Sequence, residues 1–202
     1  MIMQAEEKKY YSPEEYLELE VNAEEKHEYI DGEIILMSGG MPNHNRIILN
    51  FGASLNFALK RQPYDVFVSD QRLWIPQRRT YTYPDIMVVQ GALQLQEGRK
   101  DTITNPVMIA EILSKSTQAY DSPSETLCEQ GEKFKFYRTI PTFQEYVTIE
   151  QYSMHVERYY KTEPHQWIFS EYDGAESILS LNTVPCEISL ADLYDKVDFE
   201  AE

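Results

Sequence analysis

The sequence predicts a mixed α+β fold: a central mixed sheet flanked by helices, with extra β-hairpins, in a single domain over residues 1–202. Three observations predict it. The runs "DIMVVQ" and "PVMIAEILS" have the length and apolar content of strands buried on both faces. Two other segments repeat apolar residues at helical spacing. The elements follow one another as helix, hairpin, helix, strands, helix, strands.

Ser12-Pro13-Glu14-Glu15 starts the first helix: Ser12 caps, Pro13 suits the first helical position and Glu15 completes a capping box. The helix runs to about Glu20. "KHEYIDGEIILMSGG" then alternates around Asp31-Gly32, a strong hairpin signal, with strands expected near 26–30 and 33–37. Asn43 is read as the cap of a helix from His44 to about Arg61, with Ile48, Phe51, Leu55 and Leu59 as its buried stripe. "DVFVSDQRLWIP" and "TYTYPDIMVVQ" read as strands divided by a polar "QRRT" turn, and "GALQLQEGRKDTITN" as a surface connection. A helix is expected from Ser122 to Arg138, weakened at Gly131, with Leu127, Phe134 and Tyr137 on one side. A hairpin at 143–149 and 153–160, strands near 166–172 and 176–181, and a short helix from Ser189 to Val197 complete the chain.

Composition narrows the class. A hydrophobic content of 42% and an aromatic content of 12% suit a packed core. Cys128 and Cys186 give neither a disulfide framework nor a metal-ligand spacing, and no signal or membrane-spanning run is present. The expectation is a soluble cytoplasmic protein with no membrane partner. The net charge of -16 works against a nucleic-acid partner, because phosphate neutralisation normally supplies much of that affinity.

Against this background Asp85 stands out, set after Pro84 and directly before Ile86, Met87, Val88 and Val89. If this strand pairs antiparallel with the one from 107 to 112, with Val89 opposite Val107, then Asp85 lies opposite Glu111. Strand alternation puts both carboxylates on one sheet face, together with Met87, Val89, Val107 and Ile109. Two carboxylates so placed repel unless a cation lies between them, and a hard divalent ion such as Mg²⁺ suits oxygen ligands. Each acid alone has an ordinary reading, as a turn aspartate or a solvated strand-end glutamate.

"YPDIMVV", "NPVMIAEILSKST" and "GEKFKFYRTIPTFQEYV" resemble the Uma-two family of restriction-endonuclease-like proteins, within the PD-(D/E)XK nuclease superfamily. The resemblance extends from "YSPEEYLELE" through "YIDGEIILMSGGMPNHNRI" to "EISLADLYDKV". It implies a restriction-endonuclease-like sheet, with Asp85 as the aspartate of the PD motif and Glu111 as the acid of (D/E)XK. The lysine expected two residues after that acid is replaced by Leu113, and the "GEKF" motif supplies Lys133 instead. Lys115, four residues past Glu111, is a second candidate for the missing cation. Glu28 and His44 also fall on family motifs, as a further acid and a histidine at a helix start. The sequence departs from the family in "SPSETLCEQ", inserted between Asp121 and the "GEKF" motif.

The implied activity is Mg²⁺- or Mn²⁺-dependent hydrolysis of DNA phosphodiesters. Arg72, Arg78, Arg79, Arg99 and Lys100, on the turns beside the two strands, are candidate phosphate contacts, and a homodimer is expected from the resemblance. The alternative is a nuclease-fold protein that no longer cuts and serves as a nucleic-acid-binding or regulatory module. Leu113, the insertion and the net acidity favour that alternative. A hydrolase of another kind ranks last, since no Ser-His-Asp order, P-loop or dinucleotide loop is present.

Overall fold

The structure, a computed structural model, describes residues 9–37, 39–113 and 133–200. Its described elements form four layers. Helix α1 (Pro13–Val21) covers a five-stranded sheet, that sheet faces a six-stranded one, and helix α2 (Pro42–Ala58) covers the far side. A two-stranded sheet and the one-turn helix α3 (Leu190–Leu193) close the α2 side.

The five-stranded sheet has the order β2-β1-β5-β4-β7, from β1 (His27–Ile30), β2 (Glu33–Leu36), β4 (Arg72–Ile75), β5 (Thr80–Thr82) and β7 (Thr102–Ile103). Its outer face stacks Tyr29, Tyr81 and Trp74 in a row beneath Tyr16 of α1. Its inner face gives Leu73, Ile75 and Ile103 to a core shared with Met87, Val89, Ile109 and Tyr146 of the second sheet. The six-stranded sheet has the order β11-β10-β9-β8-β6-β3. Its strands are β3 (Tyr64–Val68), β6 (Ile86–Gln90), β8 (Pro106–Leu113), β9 (Glu145–Glu150), β10 (His155–Glu163) and β11 (Gln166–Asp173). The far face of this sheet packs Ile86, Val88, Met108, Ala110 and Ile112 against Ile47, Ile48, Phe51 and Leu55 of α2. Strands β12 (Ile178–Ser180) and β13 (Glu187–Ser189) pair antiparallel with each other.

Several expectations hold closely. The capping box of Ser12 and Glu15 is formed, the Asp31-Gly32 hairpin pairs Ile30 with Glu33, and every residue of β8 is buried. Others need correction. Asn43 does not cap α2: Pro42 begins the helix after Met41, and the buried Asn43 side chain donates to the Asp198 carbonyl (2.7 Å). The helix ends at Ala58 rather than near Arg61.

"DVFVSDQRLWIP" and "TYTYPDIMVVQ" each break into two strands that join different sheets, β3 and β6 in one, β4 and β5 in the other. The expected surface connection contains β7, β13 was not foreseen, and the last helix is a single turn. Of the helix expected over 122–138, residues 133–137 are helical and Leu127 and Gly131 lie outside the described residues.

Candidate active site

Strands β6 and β8 pair antiparallel with Ile86 opposite Ala110, Met87 opposite Ile109 and Val88 opposite Met108. One step further along that register, Asp85 comes level with Glu111. At the other end the ladder slips: Val89 pairs with Pro106, not with Val107, and Val107 packs on the α2 face. Pro106 has no N–H to donate, and a bulge there absorbs the lost ladder bond.

Asp85 is fixed from two directions. Its Oδ2 accepts the backbone N–H of Ile112 (2.8 Å), and the same oxygen lies 3.2 Å from Nε2 of His44. His44 stands in the first turn of α2, its ring close to Gly40, where an added Cβ would come within 2.9 Å of Nδ1. Burial disfavours a charged ring, but the hydrogen bond and charge of Asp85, aided by Glu111, outweigh it and raise the His44 pKa.

Glu111 is 7% exposed, and Oε1 accepts the Tyr137 hydroxyl at 2.6 Å. The same oxygen lies 3.8 Å from Nζ of Lys133, which is also 3.4 Å from Oε1 of Glu28. Glu28 enters from the five-stranded sheet, where Thr82 of the neighbouring inner face donates to its Oε1. Lys133 and Tyr137 are four residues apart on one helical segment and so present their side chains together.

Burial is the main force on Glu111 and pushes its pKa from 4.5 up to about 7. Asp85 and Glu28 add to the rise, while Lys133 and the Tyr137 hydrogen bond oppose it. On Lys133 burial acts downward, yet the Glu111, Glu28 and Asp85 carboxylates prevail and hold it above the ordinary lysine value. Burial, reinforced by Glu111, raises the Tyr137 and Tyr146 phenols well above their usual range, so Tyr137 stays a donor.

Asp85, Glu111, Lys133, Glu28 and His44 thus gather around one end of β8. The candidate phosphate contacts separate into two groups. Nε of Arg72 donates to the Tyr83 hydroxyl (2.7 Å), and both Arg72 and Arg99 are paired with Asp101. Arg78, Arg79 and Lys100 are exposed, with Arg79 3.6 Å from Asp31. Leu113 is buried at the end of β8, and Lys115 lies outside the described residues. Sequence reasoning placed Tyr137 only on an apolar helix face and overlooked Thr82; the four-residue step from Lys133 was the available signal for Tyr137.

No three of Glu28, His44, Asp85 and Glu111 bring ligand atoms within 4.8 Å of one another; among the described residues that closeness occurs at His155, Glu157 and Glu171. The centre is therefore an open pair of acids with a lysine, not a closed cage.

These residues stand at the end of two antiparallel strands in a mixed α+β fold. A solved structure from Anabaena variabilis ATCC 29413, described as "a putative nuclease belonging to DUF820", shares the fold with a TM-score of 0.69. Sequence identity to it is 21%, and the match covers 91% of this chain and 97% of that one. The chain belongs to the Uma2 family, described as "Putative restriction endonuclease", which matches residues 13–192. Two Synechocystis sp. proteins are similar: sll1609, 41% identical over 79% of this chain and 86% of its own, and slr1290, 32% identical over 93% of each. Both carry the description "Uncharacterized protein". Among the described residues no helix is long and apolar enough to cross a membrane.

Proposed function

We propose that the protein is a metal-dependent endonuclease that hydrolyses phosphodiester bonds in DNA, with its centre at Asp85, Glu111 and Lys133. The observation that carries this reading is Lys133, whose Nζ lies 3.8 Å from Glu111 and 3.4 Å from Glu28. A lysine from a helix thereby supplies the cation that Leu113 cannot.

The donor set fits Mg²⁺ or Mn²⁺. Asp85 and Glu111 offer hard carboxylate oxygens, and among the described residues the contacts above engage only Oδ2 of the first and Oε1 of the second. The rise of Glu111 to about 7 marks a buried carboxylate that Lys133 alone does not neutralise. An ion with few protein ligands and several retained waters suits an open pair better than a closed cage. When bound, such an ion supplies Lewis-acid polarisation of a phosphoryl oxygen and lowers the pKa of a coordinated water.

The chain's own groups do the rest. His44 and the Ile112 N–H hold the Asp85 carboxylate in place, and the Tyr137 hydroxyl orients Glu111. Lys133, held protonated by its carboxylate neighbours, is not a general base. Its role is to offset negative charge developing on the phosphoryl group. In the same reading, Arg78, Arg79 and Lys100 contact phosphates, the chain acts as one domain in the cytoplasm, and two copies form a homodimer whose mass sedimentation measures.

The test is nicking of supercoiled DNA by the purified protein. Cleavage should require Mg²⁺ or Mn²⁺ and vanish in Asp85→Asn, and Lys133→Met should slow it by roughly 10²-fold or more, the scale of losing one charge-stabilising donor. Absence of cleavage, and of any ion binding that Asp85→Asn removes, across several divalent ions would overturn the reading. Leu113 in place of the strand lysine favours the alternative of a nuclease-fold protein that no longer cuts, which DNA binding without cleavage would establish.

A further inference from the structure

A second set of ligand-type side chains lies on the hairpin of β10 and β11. His155 pairs with Asp173 across the hairpin and Glu157 with Glu171, so alternation puts all four on one face. Ligand atoms of His155, Glu157 and Glu171 lie within 4.8 Å of one another. Nδ1 of His155 is 2.8 Å from Oδ1 of Asp173, while Nε2 faces Oε1 of Glu157 at 3.9 Å. In the neutral ring, a proton on Nδ1 donated to Asp173 would turn the Nε2 lone pair toward Glu157 as a ligand. Metal-ligating histidines are held this way, with the second ring nitrogen donating to a carboxylate.

Glu157 is also pre-set from outside the set. Its Oε2 accepts the Tyr159 hydroxyl (2.9 Å) and the Thr148 hydroxyl (3.3 Å), which turns Oε1 toward His155. Side chains of His155 and Glu157 are only about a quarter exposed, at 27% and 26%. Two glutamates directly opposite each other repel, and a fold that fixes one of them there gains from a cation between them. One imidazole nitrogen with carboxylate oxygens selects a first-row transition ion over Mg²⁺, which prefers oxygen alone.

We propose that His155, Glu157 and Glu171 bind a divalent transition-metal ion of the Zn²⁺ or Mn²⁺ class, with Asp173 orienting the histidine. The site is separate from Asp85 and Glu111, although it shares their sheet: Glu111 pairs with Thr148, Thr148 with Glu157 and Glu157 with Glu171 in one row across four strands. It is two strands from Glu111, about 10 Å at the strand spacing of a sheet, and stands whether or not the protein cuts DNA.

The experiment is a Zn²⁺ titration of the full chain, read by calorimetry and by the imidazole nitrogen shifts of its histidines. Zn²⁺ should move the Nε2 resonance of His155 stoichiometrically, and should still do so in the Asp85→Asn, Glu111→Gln double variant. The Glu157→Gln, Glu171→Gln pair should abolish this response. Asp173→Asn should weaken it by about 10- to 100-fold, the usual effect of removing a group that orients a ligand. Glu171 and Asp173 are exposed and Glu157 is partly buried, and circular dichroism verifies that the variants fold. A His155 resonance that Zn²⁺ does not move, or an affinity unchanged by the double glutamate substitution, would reduce the set to a surface cluster that His155 alone neutralises.

Discussion

At Glu111 a single carboxyl bears the opposing demands of burial and charge. Its folded pKa of about 7 exceeds the ordinary 4.5, so the folded chain takes up this proton at higher pH than the unfolded chain does. The stability linked to it is fully present below about 4.5 and is lost as pH rises through about 7. Without added metal, the protein should therefore gain stability relative to Glu111→Gln as pH falls across that window, by about 1–3 kcal/mol. Urea melts of both proteins at several pH values measure the difference. A parallel pH dependence of the two would show that Glu111 titrates like an exposed acid. The sequence made this residue legible through strand parity with Asp85, whereas its tyrosine partner depended on the path of a helix that spacing alone does not aim.

The hairpin of β1 and β2 is the element that delivers Glu28. Its turn requires φ of 43° at Asp31 and 105° at Gly32, and a Cβ at Gly32 would come within 2.7 Å of Tyr10. Gly32→Ala should cost about 1–2 kcal/mol from the left-handed conformation alone, with a further penalty from the Tyr10 contact. Thermal melts check this, and an unchanged Tm would show that the turn rearranges freely. This element was readable because a two-residue turn and two alternating strands are local signals. The partner of β1 on its other side, β5, was not: Tyr29 pairs with Tyr81, and side-chain alternation carries no label for a strand so distant in sequence. The same limit hid the division of "DVFVSDQRLWIP" between two sheets. The slip at Pro106 was missed for another reason, because a regular ladder was extended past a residue that cannot donate to it.

Across the whole molecule, a charge of -16 sets a repulsive field for any polyanion, and exposed cations must act locally. Arg78 and Lys100 are exposed, whereas Arg72 is engaged with Tyr83 and Asp101. Binding of DNA by the Asp85→Asn protein should weaken evenly across sequences in Arg78→Gln and in Lys100→Gln. Each substitution should reduce the slope of log affinity against log salt by about 1. Fluorescence anisotropy over a salt series measures the slopes, and values equal to the parent's would remove these residues from the interface.

Lys133 joins Glu28 of the five-stranded sheet to Glu111 of the six-stranded sheet. A chain in which one sheet has formed and the other has not lacks part of that junction. In the reading proposed above, the centre is therefore complete only where both sheets have met.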